Sequence, residues 1–399
     1  MLFTTYWFVC FAAIFFPLYW VCPHPVARQW CLLIGCATFH YYFAGPAGVL
    51  PIIVLGIVTY LSAFSRRRWL CRGAIALAVL ALVFYKYTLF LSSGLLGYFS
   101  PWLGAAAARQ AQGWLPSAPP LGISFFVFEF VHYLVEVQRG GEPIRRPLDF
   151  ALFSIFFPSL VAGPIKRYTQ FIPSLHAGLA RVELTDVAAG TQRVALGFFK
   201  KVVIADNLTL ALNYHGKDFT VLDPAQSWLF LAGLAVRILF DFSGYSDIAI
   251  GLARMMGVTL PENFNWPYRA INIQDFWQRW HISLSSWIRD YVYIPLGGSR
   301  HGAARKLLNG LVAFTLCGIW HGPAWNFALW GLWHGLGLAV ASSYQTALGP
   351  VGRGIAWLLD FLPFLSWLLT ILFVGFGWLL FFYPVDQAWA MAVQLLAFR

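Results

Sequence analysis

A soluble chain of 399 residues would hold roughly two or three domains, but 59% of this one is hydrophobic, only 11% is charged, and its mean hydropathy is +0.66. Those figures exclude an ordinary soluble protein. The net charge of +11 would suggest a nucleic-acid partner in a soluble chain, but here the basic residues gather in short loops. The positive-inside bias of membrane proteins accounts for most of it, and no nucleic-acid partner is expected.

Uncharged runs from Gln29 to Ser65, Tyr87 to Ala108, Leu307 to Gly352 and Phe361 to Val385 each reach the ~20 residues that carry a helix across a bilayer. They are continuous rather than alternating, which rules out an outer-membrane barrel. The fold class is therefore all-α and polytopic, with about ten or eleven spans by this length rule. No charged region precedes Phe3 to Val21 and no small-residue cleavage site follows it, so this segment reads as a retained span. With the N-terminus outside, Arg28, the cluster Arg66-Arg67-Arg68 with Arg72, and Arg139 with Arg145-Arg146 fall on the cytoplasmic side. Lys166-Arg167 fits that topology only if the preceding apolar run is re-entrant or the loop is short. The six cysteines show neither a CxxC pair nor ligand spacing, and read as small buried residues. Without an internal repeat or a long polar linker, residues 1–399 read as one membrane domain, punctuated by Gly45-Pro46 and by Pro116 to Pro120.

The segment "GISFFVFEFVHYLVEVQRG" carries Glu129, His132 and Glu136 on one helical face. A di-metal carboxylate bundle needs such a Glu-x-x-His motif twice with two further glutamates, and one copy is present. The stripe therefore reads as structural polarity facing the bundle interior, with no metal site. From Ser227 to Met256, Arg237 and Asp241 stand four apart, the spacing of an ion pair that neutralises both charges inside the bundle. Gly244 and its small neighbours suit close helix approach.

Pro261 and Pro267 then bracket an irregular loop. Asn272 to Asp290 has the pattern of one amphipathic helix, with Phe276, Trp280, Leu284, Trp287 and Tyr291 as its apolar stripe and His281 beside it. So much Trp and charge suits an interface or a water-filled funnel.

"CGIWHGPAWNFALWGLWHG", Cys317 to Gly335, places two histidines in matching Trp-His-Gly settings inside the longest charge-free run. On one straight helix His321 and His334 would differ by about 220° and ~20 Å, so they cannot share a site. Pro323 calls for a break at Gly322-Pro323, leaving His321 just before a new helix whose positive end would keep the imidazole neutral, as a general base requires. His334 reads as support, through a hydrogen bond that fixes helix packing. The chain has no Gly-x-Ser-x-Gly elbow, no nucleotide loop and no paired acidic cluster. A lone base fits direct transfer of an activated acyl group to a hydroxyl. His281 is the candidate second group, because only a segment remote in sequence can approach His321 at its depth.

"DFSGYSDIAIGLARMMGVTLPENFNWPYRAINIQDFWQRWHISLSSWIRDYVYIPLGGSR" followed by "GIWHGPAWNFALWGLWHGLG" resembles the membrane-bound O-acyltransferase family. The likeness is to its bacterial branch of alginate O-acetyltransferases and teichoic acid D-alanyltransferases, and covers residues 121–336. It implies a multi-helix fold with re-entrant or interfacial helices around a central catalytic tunnel. By motif, His321 matches the histidine regarded as catalytic and His281 the second, less universal one. The implied tunnel would be lined by Trp280, Trp320, Asn326, Ser285 and Asn265, and His281 would polarise the acyl carbonyl or orient the thioester. Glu129 and His132 depart from the Gln and Ser of alginate-type relatives.

The resemblance implies an acyltransferase of the bacterial inner membrane, moving acetyl or D-alanyl from a cytoplasmic thioester to hydroxyls of an exported polysaccharide or envelope polymer. The donor would be an acyl-carrier phosphopantetheine or an acetyl-CoA-like thioester, with no tightly bound cofactor. Partners would be membrane lipids, the polysaccharide acceptor or a partner acyltransferase, and an acidic carrier protein at the basic loops Arg139 to Arg146 or Arg300 to Lys306. Those loops also serve as plain topology determinants. A transporter or an export scaffold are the readings of another class; the first expects broken helices in two inverted halves, and the first half offers nothing like Trp320 to Pro323.

Overall fold

The structure, a computed structural model, describes residues 2–215 and 219–397, and every regular element among them is helical. Among the described residues four helices are long and apolar enough to cross a bilayer: Pro25–Ser65, Arg68–Tyr87, Pro224–Arg254 and Pro363–Phe382. Other apolar runs are divided into shorter pieces, among them Tyr6–Val21 and Phe90–Phe99. The 41-residue Pro25–Ser65 element leaves helical geometry at Gly45, with φ 65° and ψ 172°. At about 1.5 Å per residue it is twice the length one crossing of the ~30 Å hydrocarbon needs. The kink falls where glycine alone takes that backbone at ease and Pro46 interrupts the ladder.

The chain packs as two compact units, neither continuous in sequence: Met1–Phe198 with Tyr245–Pro261, and Phe199–Gly244 with Glu262–Arg399. The Pro224–Arg254 helix contributes residues to both.

The first unit is built on phenylalanines: Phe3, Phe8, Phe15, Phe39 and Phe157 form one buried aromatic cluster. Tyr19 Oη and Trp20 Nε1 donate to the carbonyls of Met256 and Met255, at 3.1 and 2.9 Å. Close helix approach in this unit is at Gly190 and Gly251, where a Cβ on either would meet the other's carbonyl oxygen within 2.7 Å.

The Ile123–Gln138 helix turns Glu129 and His132 into this core, at 3% and 1% exposure, while Glu136 pairs with Arg139 at 2.8 Å. The partner of Glu129 is Lys166, 1% exposed, whose ammonium also lies over the rings of Phe153 and Phe171. Lys166 is thus no loop cation that marks topology. His132 Nε2 accepts from the backbone N–H of Tyr168 at 3.3 Å. Among the described residues no cluster of His, Cys, Asp or Glu can hold a metal ion, and the six cysteines are free.

In the second unit, the helices Gly302–His321 and Trp325–Ala347 form a hairpin packed glycine on glycine. A Cβ at Gly318 would fall 2.2 Å from the carbonyl oxygen of Phe327, and one at Gly331 2.2 Å from that of Phe314. The backbones touch, as small-residue interfaces permit in lipid, where burial of apolar surface between helices gains little. Trp333 Nε1 and Asn326 Nδ2 donate to the carbonyls of Phe373 and Leu380, fastening the hairpin to Pro363–Phe382.

The i,i+4 ion pair of the Pro224–Arg254 helix does not form. Asp241 is taken by Lys201 at 2.7 Å, which also holds Asp206, and the Arg237 guanidinium lies over the Phe382 ring at 4.8 Å. A cation from the π-helical turn Phe199–Asp206 outcompetes the same-helix partner because it reaches both carboxylates at once.

Two substitutions test this packing by thermal unfolding in detergent. Gly318→Val is expected to destabilise by about 1–3 kcal/mol through overpacking, whereas Gly310→Ala, with nothing within 4 Å of its Cβ, should not. Equal melting of the two variants would contradict the backbone contact. Lys166→Met leaves a buried carboxylate unpaired and is expected to lose about 3–5 kcal/mol, most of it regained on adding Glu129→Leu; a double variant as unstable as the single one refutes the pairing.

Candidate active site

The segment expected as one helix from Asn272 to Asp290 is two short helices, Ile273–Arg279 and Ile282–Ile288, followed by a π-helical turn. Asn272 caps the first, its Oδ1 accepting from Asp275 N at 2.8 Å. At the break Trp280 is extended and His281 is left-handed, with φ 44° and ψ 53°. A non-glycine residue there costs about 1–2 kcal/mol, and the irregular loop before it offsets that. Asn265 N donates to Arg279 O at 2.9 Å, and Ile282 N to Asn263 O at 3.0 Å. Ser285 Oγ closes the other side on the carbonyls of Trp280 and His281. The polar backbone opened by the break is satisfied by protein, the condition for irregular chain at membrane depth.

The break turns His281 inward, 1% exposed. Its Nδ1 lies 3.1 Å from Asn263 Oδ1, which also accepts from Ser283 Oγ at 2.8 Å and Ser283 N at 3.3 Å. A backbone N–H only donates, so this Asn263 atom is the amide oxygen and His281 Nδ1 carries the proton. Nε2 keeps its lone pair and has no hydrogen-bond partner among the described residues. A second proton would bury both a charge and an N–H with no acceptor among the described residues, so the His281 ring is neutral.

His321 is the last residue of the Gly302–His321 helix; Gly322 is extended and the next helix starts at Trp325. The expected break is there, but His321 also sits at a helix C-terminus, whose negative end favours imidazolium. The two helix ends oppose, so the dipole does not decide its charge. Its half-buried ring stands edge-on to Trp330 and Phe381, each at 5.2 Å, and 4.9 Å from Trp320. The His281 and His321 ring centres are 6.4 Å apart. The fold thus brings together the two histidines that are forty residues apart in sequence.

His334 lies behind this pair. Trp330 stands between the two Trp-His-Gly histidines, 5.2 Å from His321 and 4.9 Å from His334. The hydrogen bond expected of His334 is absent: it is fully buried among Phe276, Trp277, Trp330 and Phe373, and neither ring nitrogen has a partner among the described residues. Shape holds this ring, with Gly377 leaving it room: a Cβ there would lie 2.9 Å from Nε2.

Of the expected lining residues, Trp320 stands beside both histidines. Trp280 is buried against Phe264, Phe276 and Trp378. Asn326 spends its amide on Leu380, and Asn265 is exposed and acts through its backbone. Ser285 lines a separate cavity of about 220 Å³ with Arg289, Lys306 and Gly335. Phe242, edge-on to His281 at 4.6 Å, Phe381 and Asn263 complete the site. Only Asn263 left a signal, as a polar residue in the proline-bracketed loop.

A buried neutral imidazole beside a half-exposed one supports proton transfer and orientation of a bound group. The family model for MBOAT, the membrane-bound O-acyltransferase family, matches residues 144–351, which contain every histidine of this region. The chain belongs to the membrane-bound O-acyltransferase family. It is 34% identical over 97% of its length to a probable alginate O-acetylase AlgI of Azotobacter vinelandii, covering 76% of that protein. A peptidoglycan O-acetyltransferase of Helicobacter pylori is 33% identical over 95% of this chain and 71% of its own. A teichoic acid D-alanyltransferase of Bacillus subtilis is 30% identical over 67% and 71%. Against an AlgI relative from Pseudomonas aeruginosa the match covers 52% of the relative's length. The chain is thus an O-acyltransferase of this multi-pass membrane family, and the transporter reading has no support.

Asn263→Ala removes the acceptor of three buried donors. It is expected to lower stability by about 1–3 kcal/mol per donor left unsatisfied and to reduce transfer further in protein that still folds, because His281 loses its tautomer. Unchanged turnover in a folded Asn263→Ala protein would show that this bond does not orient the ring.

Proposed function

We propose that this membrane O-acyltransferase moves an acetyl group from a cytoplasmic thioester donor to hydroxyls of an exported polysaccharide or cell-envelope polymer. Acetyl is favoured because similarity to relatives named for O-acetylation runs over 97% and 95% of this chain, against 67% for the relative named for D-alanylation. The proposed setting is the bacterial inner membrane with the N-terminus outside, the orientation that puts the basic loops Arg66 to Arg72 and Arg139 to Arg146 on the cytoplasmic side. Arg66 and Arg145 share Glu142, at 2.6 and 3.6 Å, which supports one common end for two of those clusters. Because these arginines already meet a carboxylate, the loop Arg300 to Lys306 is the better landing place for an acidic carrier or the phosphates of a free thioester.

In the proposed reaction His321 takes the proton of the acceptor hydroxyl as its oxygen attacks the thioester carbonyl. The C–O bond forms, the C–S bond breaks, and the thiolate leaves with the proton returned by His321. His281, with Nδ1–H committed to Asn263, offers a lone pair at Nε2. That favours orienting a donor amide N–H or the acceptor hydroxyl over polarising the acyl carbonyl, which needs a hydrogen-bond donor.

The test is acyl transfer to isolated polymer from labelled acetyl and D-alanyl thioesters by purified protein. His321→Ala is expected to lose about 10²–10⁴-fold with unchanged folding; full transfer by that variant would falsify the role, and transfer of D-alanyl alone would reassign the acyl group.

A further inference from the structure

Arg237 sits inside the apolar helix Pro224–Arg254. A charge there is costly and belongs beside a counter-charge, water or a ligand. Asp241, one turn on, is taken by Lys201, and no carboxylate among the described residues pairs with Arg237. The Phe382 ring lies 4.8 Å from its guanidinium carbon, and Tyr383 is a further neighbour. A ring contact uses none of the guanidinium N–H donors, and those donors form the fork that grips a carboxylate or phosphate in two places.

The location ties this group to the histidines. Phe382 follows Phe381, whose ring is edge-on to His321 at 5.2 Å. Phe242, five residues after Arg237 and so about 7.5 Å along the same helix, is edge-on to His281. The end of the Pro363–Phe382 helix is bonded to the start of Trp325–Ala347 through Asn326 and Leu380. Arg237 and Phe382 therefore lie at the turn end of the hairpin, whereas the basic loop Arg300 to Lys306 leads into its opposite end.

We propose that Arg237 reads an anionic group, a carboxylate or phosphate, on the acceptor polymer, and so sets which unit of that polymer presents its hydroxyl to His321. The inference rests on the acyl-transfer reading: the donor enters from the basic-loop end, so the anion gripped at the turn end belongs to the acceptor. Because His321 and Arg237 lie against the successive rings Phe381 and Phe382, that anion is assigned to a unit neighbouring the one that reacts.

The test is equilibrium binding to the purified full chain, which does not require turnover and so separates this proposal from the catalytic one. The probes are a uronate oligosaccharide from alginate, its carboxyl-reduced counterpart, and acetyl-CoA as a thioester donor. Arg237→Gln is expected to weaken the uronate probe by about 10-fold or more and to abolish its advantage over the reduced probe, with Arg237→Lys intermediate because a point charge replaces the fork. Arg353→Gln, exposed on the Gly349–Phe361 helix, should change nothing. Folding of each variant is checked by size exclusion and thermal unfolding. The proposal fails if the uronate probe does not bind, if it binds wild type and Arg237→Gln alike, or if the variant weakens acetyl-CoA and not the oligosaccharide.

Discussion

The arrangement of this site hangs on one oxygen. Asn263 Oδ1 collects Ser283 N, Ser283 Oγ and His281 Nδ1, and in doing so holds open a helix whose side-chain pattern favours continuity. Without that acceptor the segment has every reason to run straight, and His281 would stay beside the apolar stripe, on the helix flank. The left-handed turn at His281 is a strained conformation, held because the loop Asn263 to Asn265 satisfies the backbone groups the break exposes. Strain, buried polarity and ring orientation are thus one device, built from residues that are themselves buried.

The second constraint is close backbone contact in the hairpin. Gly318 and Gly331 bring the two helices so near that the turn between them is short, and His321 is held at the end of a helix rather than within one. Around it the aromatic residues act as solid walls. Trp330 and Phe381 fix its ring edge-on, and Trp330 also separates it from His334. Two identical tripeptides therefore have different surroundings: one histidine half-exposed at a helix end, the other sealed in an aromatic box without a hydrogen bond.

Charge is handled differently in the two units. In the first unit Glu129 and Lys166, both buried, are paired with one another. In the second unit Lys201 takes both Asp206 and Asp241. That leaves Arg237 beside an aromatic ring with no carboxylate among the described residues paired to it, the feature from which its proposed role as a reader of the acceptor is drawn.

Composition and unbroken apolar runs were enough to establish a helical membrane protein, because the bilayer admits few solutions for a polar backbone. The helix breaks at Gly45 and Gly322-Pro323 were legible for a similar local reason, since proline and glycine constrain the backbone wherever they stand. The RWHIS and WHG motifs pointed to the family and to His281 and His321. Pairings were another matter. The i,i+4 spacing of Arg237 and Asp241 suggested a partner that Lys201 displaced, Lys166 looked like a loop cation and is buried, and the break at His281 ran against its own periodicity. Each outcome was decided by a group remote in sequence: Asn263 for His281, Lys201 for Asp241, Glu129 for Lys166. Local pattern determines what a segment does when its surroundings are uniform. In a bundle interior a buried charge or an opened hydrogen bond takes whichever partner the tertiary fold brings within reach, and that choice is written only in three dimensions.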